Sequence, residues 1–202
     1  MRDLLRRIHG EDRSSGVTLV ELLITMTIFS VVLAMTYSVL ITVQKQTRDQ
    51  TARADAVGDA RLALQQIDRQ VRSGNVLSDP STETLDMSMR IYTQANGDQR
   101  CVQWQVDESA AVLRSRSWEP GWTSADPAPA WGVVAHNVVN TGSTTAPFSQ
   151  PGGATGERLV DITLLVHSDA SEGKPIEVTS SMSGRNTAYG YDVDICKPGP
   201  PA

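Results

Sequence analysis

The sequence predicts an α+β fold in which one long N-terminal helix packs on an antiparallel β-sheet domain. Three observations predict this fold. An apolar stretch runs from Val17 to Val43, where 19 of 27 residues are apolar and only Glu21 is charged. An amphipathic helical pattern continues this stretch, and alternating apolar and polar residues follow after residue 75. The other 175 residues are only about 35% apolar, against 40% for the whole 202-residue chain, so the apolar residues are unevenly distributed.

The apolar stretch is long enough to cross a membrane as a helix. Twenty-seven residues at a rise of about 1.5 Å each reach roughly 40 Å, and the hydrocarbon core of a bilayer is about 30 Å thick. A cleaved secretory signal peptide is an alternative, with Val32-Leu33-Ala34 as its cleavage sequence, but such a signal has an apolar core of only about 7–15 residues. A plain single-pass anchor is a third interpretation. Neither alternative explains the carboxylate of Glu21.

A polar, net-basic leader ends immediately before the apolar stretch, in the sequence Ser15-Gly16-Val17-Thr18-Leu19-Val20-Glu21. A glycine boundary, a carboxylate five residues beyond it and an uninterrupted apolar helix resemble the N-terminus of type IV prepilins and of the related pseudopilins of type II secretion. The resemblance implies that a prepilin peptidase cuts between Gly16 and Val17 on the cytoplasmic side. It also implies that the same enzyme methylates the new amine of Val17.

Glu21 is the residue on which the functional interpretation depends. A charge at the centre of a membrane helix costs roughly 2.5–3.5 kcal/mol on insertion scales, and an ionisable group in such a helix is a functional candidate with a partner to be found. The cut implied by the resemblance supplies that partner, because it frees the α-amine of Val17. The resemblance therefore implies an assembly salt bridge between Glu21 of one subunit and the Val17 amine of its neighbour. The alternative is that Glu21 lies at the cytoplasmic interface and has no role.

The chain also departs from the pattern of abundant major pilins. Val17 stands where Phe or Met is commoner, and Ser38 stands where major pilins often carry a helix-kinking proline. These departures argue against an abundant major pilin. The chain's size, the helix that continues into a segment of mixed Arg and Asp ending at Leu64 to Val71, and a strand meander that carries Trp104 resemble the J-type minor pseudopilins and similar minor pilins. That resemblance implies a structural subunit of a small complex near the filament tip, where assembly is primed.

The helical pattern continues beyond the apolar stretch. Apolar residues recur at intervals of three and four, which predicts an amphipathic helix over residues 44–74 that ends at Ser73-Gly74-Asn75. The residues of this stripe are Val57, Ala60, Leu64, Ile67 and Val71. We therefore expect four segments: a leader (1–16), a membrane and filament-core helix (17–43), its amphipathic continuation (44–74) and a β-rich domain (75–202).

Residues 75–202 read as short strands separated by turns. We predict strands over 85–91, 101–106, 111–116, 133–139, 159–167, 176–182 and 189–196, turns at 95–98, 107–109 and 168–174, and loops at 118–130 and 141–156. Asp192 and Asp194 alternate on the last of these strands, but two aspartates are a weak signal for calcium. Trp118, Trp122 and Trp131 flank one loop and fit a core as well as an interface.

Two cysteines, Cys101 and Cys196, lie 95 residues apart in the polar domain. They are too few for a cysteine-rich zinc site. A disulfide between them would stabilise the fold by roughly 4 kcal/mol, provided that the compartment is oxidising, and two separate buried thiols are the alternative. The resemblance to pilins implies an oxidising exterior and therefore favours the Cys101–Cys196 bridge, which would tie the last predicted strand to the first hairpin.

Composition and motifs argue against catalysis and nucleic-acid binding. The net charge is −5 and no long basic run occurs, so a nucleic-acid-binding surface is not evident. Neither a P-loop nor a Gly-x-Ser-x-Gly motif is present. The three histidines, His9, His136 and His167, are far apart in sequence. We expect no catalytic residue, no cofactor and no metal.

The resemblance implies a non-enzymatic minor pilin or pseudopilin of a type IV pilus or a type II secretion-like filament. Its implied partners are the prepilin peptidase, other pilins or pseudopilins, the inner-membrane assembly platform and, before assembly, the lipid bilayer. It implies a single pass through the cytoplasmic membrane, with the N-terminus in the cytoplasm and residues 75–202 outside it. The alternative is a membrane-anchored surface adhesin or binding protein, which has no use for Glu21, and a secreted enzyme is a third possibility.

Overall fold

A computed structural model describes residues 16–94, 97–142, 145–152, 158–168, 174–184 and 190–201. The chain divides into two compact units, Met1–Thr47 and Arg48–Ala202. One long apolar helix is followed by antiparallel sheets, which confirms the predicted α+β layout. The helix α1 spans Leu19–Arg72, and the strands of the described residues are β1 Gly74–Leu77, β2 Ser88–Thr93, β3 Arg100–Asp107, β4 Val112–Trp118, β5 Gly132–His136, β6 Phe148–Ser149, β7 Leu159–Val166 and β8 Ile176–Ser183.

The first unit contains the apolar beginning of α1. By length and composition, α1 is the one helix in the described part of the chain that could cross a membrane. Its most apolar 18-residue window has a mean hydropathy of 2.2, and none of that window is buried by the protein itself. Every large apolar residue from Val17 to Val43 is exposed. An apolar surface of this length needs lipid or other subunits to cover it.

In the second unit, α1 buries one stripe against the sheets. Ala60, Leu64, Ile67 and Val71 of the predicted stripe are buried, while Val57 is half-buried. Ala56 and Ala63 are buried as well, and their small side chains let the backbone of α1 approach the sheets closely. The helix ends at Arg72, as the Ser73-Gly74-Asn75 stop signal predicts.

Gly74 allows the chain to turn directly from the helix into β1. A Cβ atom on Gly74 would lie 3.0 Å from both Cγ2 of Ile91 and the main-chain oxygen of Val71. Contacts this short are tighter than nine in ten real Cβ contacts, so close packing favours glycine here.

The strands form two antiparallel sheets. One sheet has the order β1-β2-β3-β4-β5 and the other has the order β6-β7-β8. The register of the larger sheet gives two cross-strand rows over β2, β3 and β4. One row is Met89, Trp104 and Ser115, and the other is Arg90, Gln103 and Arg116. Because side chains alternate along a strand, these two rows lie on opposite faces.

One face of the larger sheet packs on α1 and on the smaller sheet. Trp104 is fully buried in this core, and its indole Nε1–H donates to Oε1 of Gln70 at 2.7 Å. This hydrogen bond joins α1 to the centre of β3. Trp104 belongs to a cluster of buried apolar side chains, so Gln70 supplies a polar partner inside the core. The residues of the smaller sheet in the same core are Phe148, Val160, Ile162, Leu164, Val166 and Met182.

The hydrogen bond from Trp104 gives the first testable prediction. Replacing Gln70 by Leu removes the acceptor and leaves a buried indole N–H without one, so we expect a loss of roughly 1–3 kcal/mol in the free energy of unfolding. Denaturant unfolding of the full chain in detergent micelles measures this loss. Gln65 lies on the exposed side of the same helix, so Gln65→Leu is the matched control, with an expected change within about 0.5 kcal/mol. Equal losses in the two variants would contradict the assignment.

The structure corrects several strand predictions. The last predicted strand, 189–196, is wrong over its described residues 190–196, which form turns. There Asp192 Oδ1 accepts the main-chain N–H of Asp194, and Ile195 N–H donates to the carbonyl of Asp192, so local bonds replace a ladder. Two short strands, β1 and β6, occur where a helix stop and a loop were predicted.

Some predictions fall outside the described residues. These are the leader 1–15 with His9, parts of the predicted turns at 95–96 and 169–173, parts of the predicted loop at 143–144 and 153–156, and residue 189.

Candidate processing and assembly site

Residues 16–18 form a short non-helical segment before α1. Gly16 is exposed, and a Cβ atom built on it would meet nothing within 4 Å. Packing within the described chain therefore gives no reason for glycine at this position. The side chain of Val17 is 66% exposed. The bond between Gly16 and Val17 is thus in a segment whose backbone is outside the helix and open to solvent.

Thr18 caps the start of α1. Its hydroxyl accepts the main-chain N–H of Glu21 at 3.2 Å, and its carbonyl accepts that of Leu22 at 3.1 Å. Thr18 and Glu21 have the spacing of a capping box, in which a Thr at the cap is followed three residues later by Glu. The sequence prediction missed this cap, although the Thr-x-x-Glu pattern could have revealed it. The cap fixes the beginning of the helix two residues after the Gly16–Val17 bond.

Glu21 lies in the first turn of α1 and is exposed. Its carboxylate makes no ion pair with any described residue. The positive end of the helix dipole favours a carboxylate here by about 0.3–1 kcal/mol, which is a local role that sequence analysis did not consider. The carboxylate itself remains available to a group outside the described chain.

Five hydroxyl groups of the apolar helix differ from Glu21 because they are internally satisfied. Each donates to a main-chain carbonyl one turn earlier, at 2.8–3.0 Å, and such bonds compensate a polar group in lipid. The residues that do so are Thr25, Thr27, Ser30, Thr36 and Thr42. Glu21 is the one charged residue from Val17 to Val43, and its carboxylate has no counter-ion among the described residues.

The second unit brings the two cysteines together. Cys101 at the start of β3 and Cys196 in the C-terminal segment form a disulfide with a Cα–Cα distance of 5.7 Å. Both are buried in a small cluster with Val76, Tyr92 and Trp118. The cluster lies on the face of the larger sheet that α1 does not cover. The bridge ties a segment of turns, not a strand, to the sheet.

The remaining candidate residues do not converge on a chemical site. His136 ends β5 and His167 follows β7, and no group of three or more His, Cys, Asp or Glu side chains that could hold a metal occurs among the described residues. Asp194 pairs instead with Lys197 at 2.8 Å. Trp118 is buried and Trp122 is half-buried in the disulfide cluster, so core packing explains both.

Two comparisons bear on this geometry. A family model described as the prokaryotic N-terminal methylation motif matches residues 12–37, which include Gly16, Val17 and Glu21. No curated protein matches the chain. The motif supports a type IV prepilin-like protein and implies processing by a prepilin peptidase and assembly with other pilins. Together with the apolar helix, it supports a single-pass, membrane-anchored protein of a class whose members are structural subunits.

Proposed function

We propose that this chain is a minor pilin or pseudopilin that a prepilin peptidase cleaves between Gly16 and Val17 and methylates at Val17. The observation that carries the proposal is the match of residues 12–37 to the methylation motif, on a segment that is non-helical and exposed at the cleavage site. A peptidase must bind its substrate in an extended form, and the cap at Thr18 keeps the scissile bond outside α1. The mature protein then begins one residue before this cap.

Glu21 is the residue that would join the processed subunits. Cleavage places a positive amine at Val17, one turn before the carboxylate. In a helical filament, the Val17 amine of one subunit meets the Glu21 carboxylate of the next. A pair between subunits removes two charges from lipid together and sets the axial register as each subunit is added.

The finer assignment rests on the chain's other features. The chain's size, the continuation of α1 to Arg72 and the strand meander resemble those of J-type minor pseudopilins, so we place the subunit in a tip complex that primes assembly. Val17 and Ser38 depart from the pattern of abundant major pilins. The disulfide fits a domain outside the cytoplasm. In this orientation the N-terminus faces the cytoplasm, where the leader is removed.

Mass spectrometry of the mature N-terminus is the direct test of processing. We expect a chain that begins at Val17 and carries one methyl group on its amine. The measurement uses the protein purified from membranes of cells that contain a prepilin peptidase. A chain that still begins at Met1, or one that begins at Met35 after signal-peptidase cleavage, would rule out the proposal.

Substitution of Gly16 separates recognition from folding. Gly16→Val is expected to abolish cleavage, so that the unprocessed precursor accumulates in the membrane. Folding should not change, because the space around the Cβ position is open and a β-branched residue suits an extended backbone. Immunoblots of the precursor and mature forms measure cleavage, and the Cys101–Cys196 disulfide, assayed by gel shift after alkylation, reports folding. Wild-type cleavage of the variant would contradict recognition at Gly16.

A further inference from the structure

The face of the larger sheet opposite α1 carries a groove of arginine and tryptophan side chains that the proposed filament role does not use. We define the arginine–tryptophan groove by Arg90, Gln103, Arg116, Trp118 and Trp131. Arg90, Gln103 and Arg116 occupy one cross-strand row on β2, β3 and β4. All three are buried although they are polar or charged. The C-terminal segment lies in this groove, and we call residues 196–201 the strap.

The two buried arginines bind the main-chain carbonyls of the strap. Arg116 donates through Nη2 to the carbonyl of Pro200 and through Nη1 to that of Pro201, both at 2.6 Å. Arg90 donates through Nη1 to the carbonyl of Cys196 at 3.1 Å. Hydrogen bonds from a charged donor are stronger than neutral ones. The described hydrogen bonds from the guanidinium groups to the strap therefore go to its main chain.

The arginines are themselves held in place by the sheet. Oε1 of Gln103 accepts from Nε and Nη2 of Arg116, at 3.0 and 2.7 Å. The guanidinium carbon of Arg116 lies 4.2 Å from the ring centroid of Trp131 and 5.9 Å from that of Trp118. Burial, and then the charges of Arg114 and Arg90, lower the pKa of Arg116 to about 10, which still leaves it charged at neutral pH. The donors are thus fixed and ready for carbonyl oxygens.

The sequence of the strap fits this groove. A Cβ atom on Gly199 would lie 2.9 Å from Nη1 of Arg90 and 3.5 Å from the ring of Trp118, so the groove selects glycine at this position. Prolines at positions 198, 200 and 201 have no N–H group that would need an acceptor. The described main-chain bonds of residues 192–197 are local, so the strap joins no strand of its own sheet.

We propose that the arginine–tryptophan groove is a peptide-binding site for a Cys-Lys-Pro-Gly-Pro-Pro segment, which residues 196–201 fill in this chain and the same segment of a second copy can fill in exchange. Apart from local bonds between Lys197 and Asp194, the described hydrogen bonds of the strap come from the groove arginines, and the disulfide adds a covalent link. None of these contacts requires that the strap belong to the same subunit, which is the condition for exchange of an element between copies. The disulfide between Cys101 of the groove and Cys196 of the strap then holds the bound strap covalently, whether the strap comes from the same subunit or from a second copy. This proposal does not depend on the filament role.

Disulfide capture tests the groove. The host is the full-length Cys196→Ser/Gly199→Ala chain in detergent micelles, in which Cys101 is free and the chain's own strap fits poorly. The probe is the synthetic peptide Cys-Lys-Pro-Gly-Pro-Pro with its cysteine activated as a 2-pyridyl disulfide. The thiolate of Cys101 attacks the cysteine sulfur of the peptide, the protein–peptide disulfide forms, and pyridine-2-thione leaves and is followed by its absorbance.

We expect this peptide to label Cys101 at least ten times faster than a peptide in which Ala replaces Gly. Arg116→Lys in the host should remove this preference, because Lys keeps the positive charge but cannot bind two carbonyls in a fixed geometry. Arg72→Lys is the control and should preserve the preference, since Arg72 is exposed on α1 and pairs there with Asp68. Equal labelling rates for the two peptides would overturn the site. The Cys196→Ser host, which keeps Gly199, gives the same comparison if the double variant does not fold.

Exchange between copies is tested with full chains. The Cys101→Ser chain supplies a strap with a free Cys196, and the Cys196→Ser/Gly199→Ala chain supplies an open groove. In a glutathione redox buffer we expect a heterodimer linked through Cys101 and Cys196, identified by mass spectrometry of the joined peptides. Arg116→Lys in the groove chain should reduce its yield at least five-fold. No heterodimer, or an equal yield with Arg116→Lys, would overturn exchange.

Discussion

Glu21→Gln is expected to leave removal of the leader intact and to prevent incorporation of the subunit into filaments. Gln has nearly the size of Glu but no charge, so the amine of Val17 on the neighbouring subunit would remain in the filament core without a counter-ion. Removal of one partner of a buried ion pair costs about 3–5 kcal/mol, and in a filament this cost recurs at each subunit contact. The measurement is the fraction of processed subunit recovered in sheared filaments compared with the membrane fraction.

The size of this effect separates the two roles that the structure allows for Glu21. If the carboxylate served only the helix dipole and the capping box, its loss would cost about 0.3–1 kcal/mol and would hardly change assembly. Thr25→Val is the matched control: it changes another polar residue of the same helix, whose hydroxyl is already satisfied by the carbonyl of Leu22. We expect normal assembly of this control. Normal filament yield from Glu21→Gln would show that the helix acts as a plain anchor.

The sequence predicted the fold best where one residue pattern decided the structure. The stripe from Ala60 to Val71 became the buried face of α1, because a period of 3.6 allows no other face. The alternation around Trp104 became β3, which extends the predicted 101–106 by one residue at each end. In both segments, burial and local propensity favour the same conformation.

The sequence failed where bonds between distant residues decided the structure. Asn140 is fully buried, and its amide group donates to the carbonyls of Thr145 and Thr163 and accepts the N–H of Leu165. These bonds fasten the predicted loop to β7. Conversely, Val193 alternates as in a strand but is exposed, because local turn bonds at Asp192 prevent pairing. Short-range patterns carry no information about either outcome.

The candidate site shows the same division. Gly16, Val17 and Glu21 are close in sequence, so a linear motif was enough to find them. The arginine–tryptophan groove was missed because Arg90, Arg116 and Trp131 come from three separated parts of the chain. One sequence feature could have indicated it: Arg114 and Arg116 occupy alternate positions of a predicted strand and so lie on one face of the sheet. An arginine that is buried on such a face requires a hydrogen-bond acceptor.

Removal of the disulfide is the second change with a large expected effect. The bridge closes a loop of 95 residues, for which the chain-entropy model predicts a stabilisation of about 4–5 kcal/mol. We expect Cys101→Ala/Cys196→Ala to lose most of this amount, measured by denaturant unfolding of the full chain in detergent micelles. Wild type unfolded with a reductant should lose a similar amount, and the reductant should have no effect on the double variant.

The groove makes a sharper prediction about the same bridge. Because the disulfide and Arg116 hold one strap, their contributions to stability should not add. In the disulfide-free chain the strap is held less firmly, so Arg116→Met should cost less there than in the oxidised wild type, by roughly 0.5–3 kcal/mol. A double-mutant cycle over the four chains measures this coupling, and Gln65→Leu in place of Arg116→Met supplies the uncoupled comparison. Additive losses for Arg116→Met would mean that the arginine stabilises the sheet independently of the strap, and the strap would then depend on the disulfide alone.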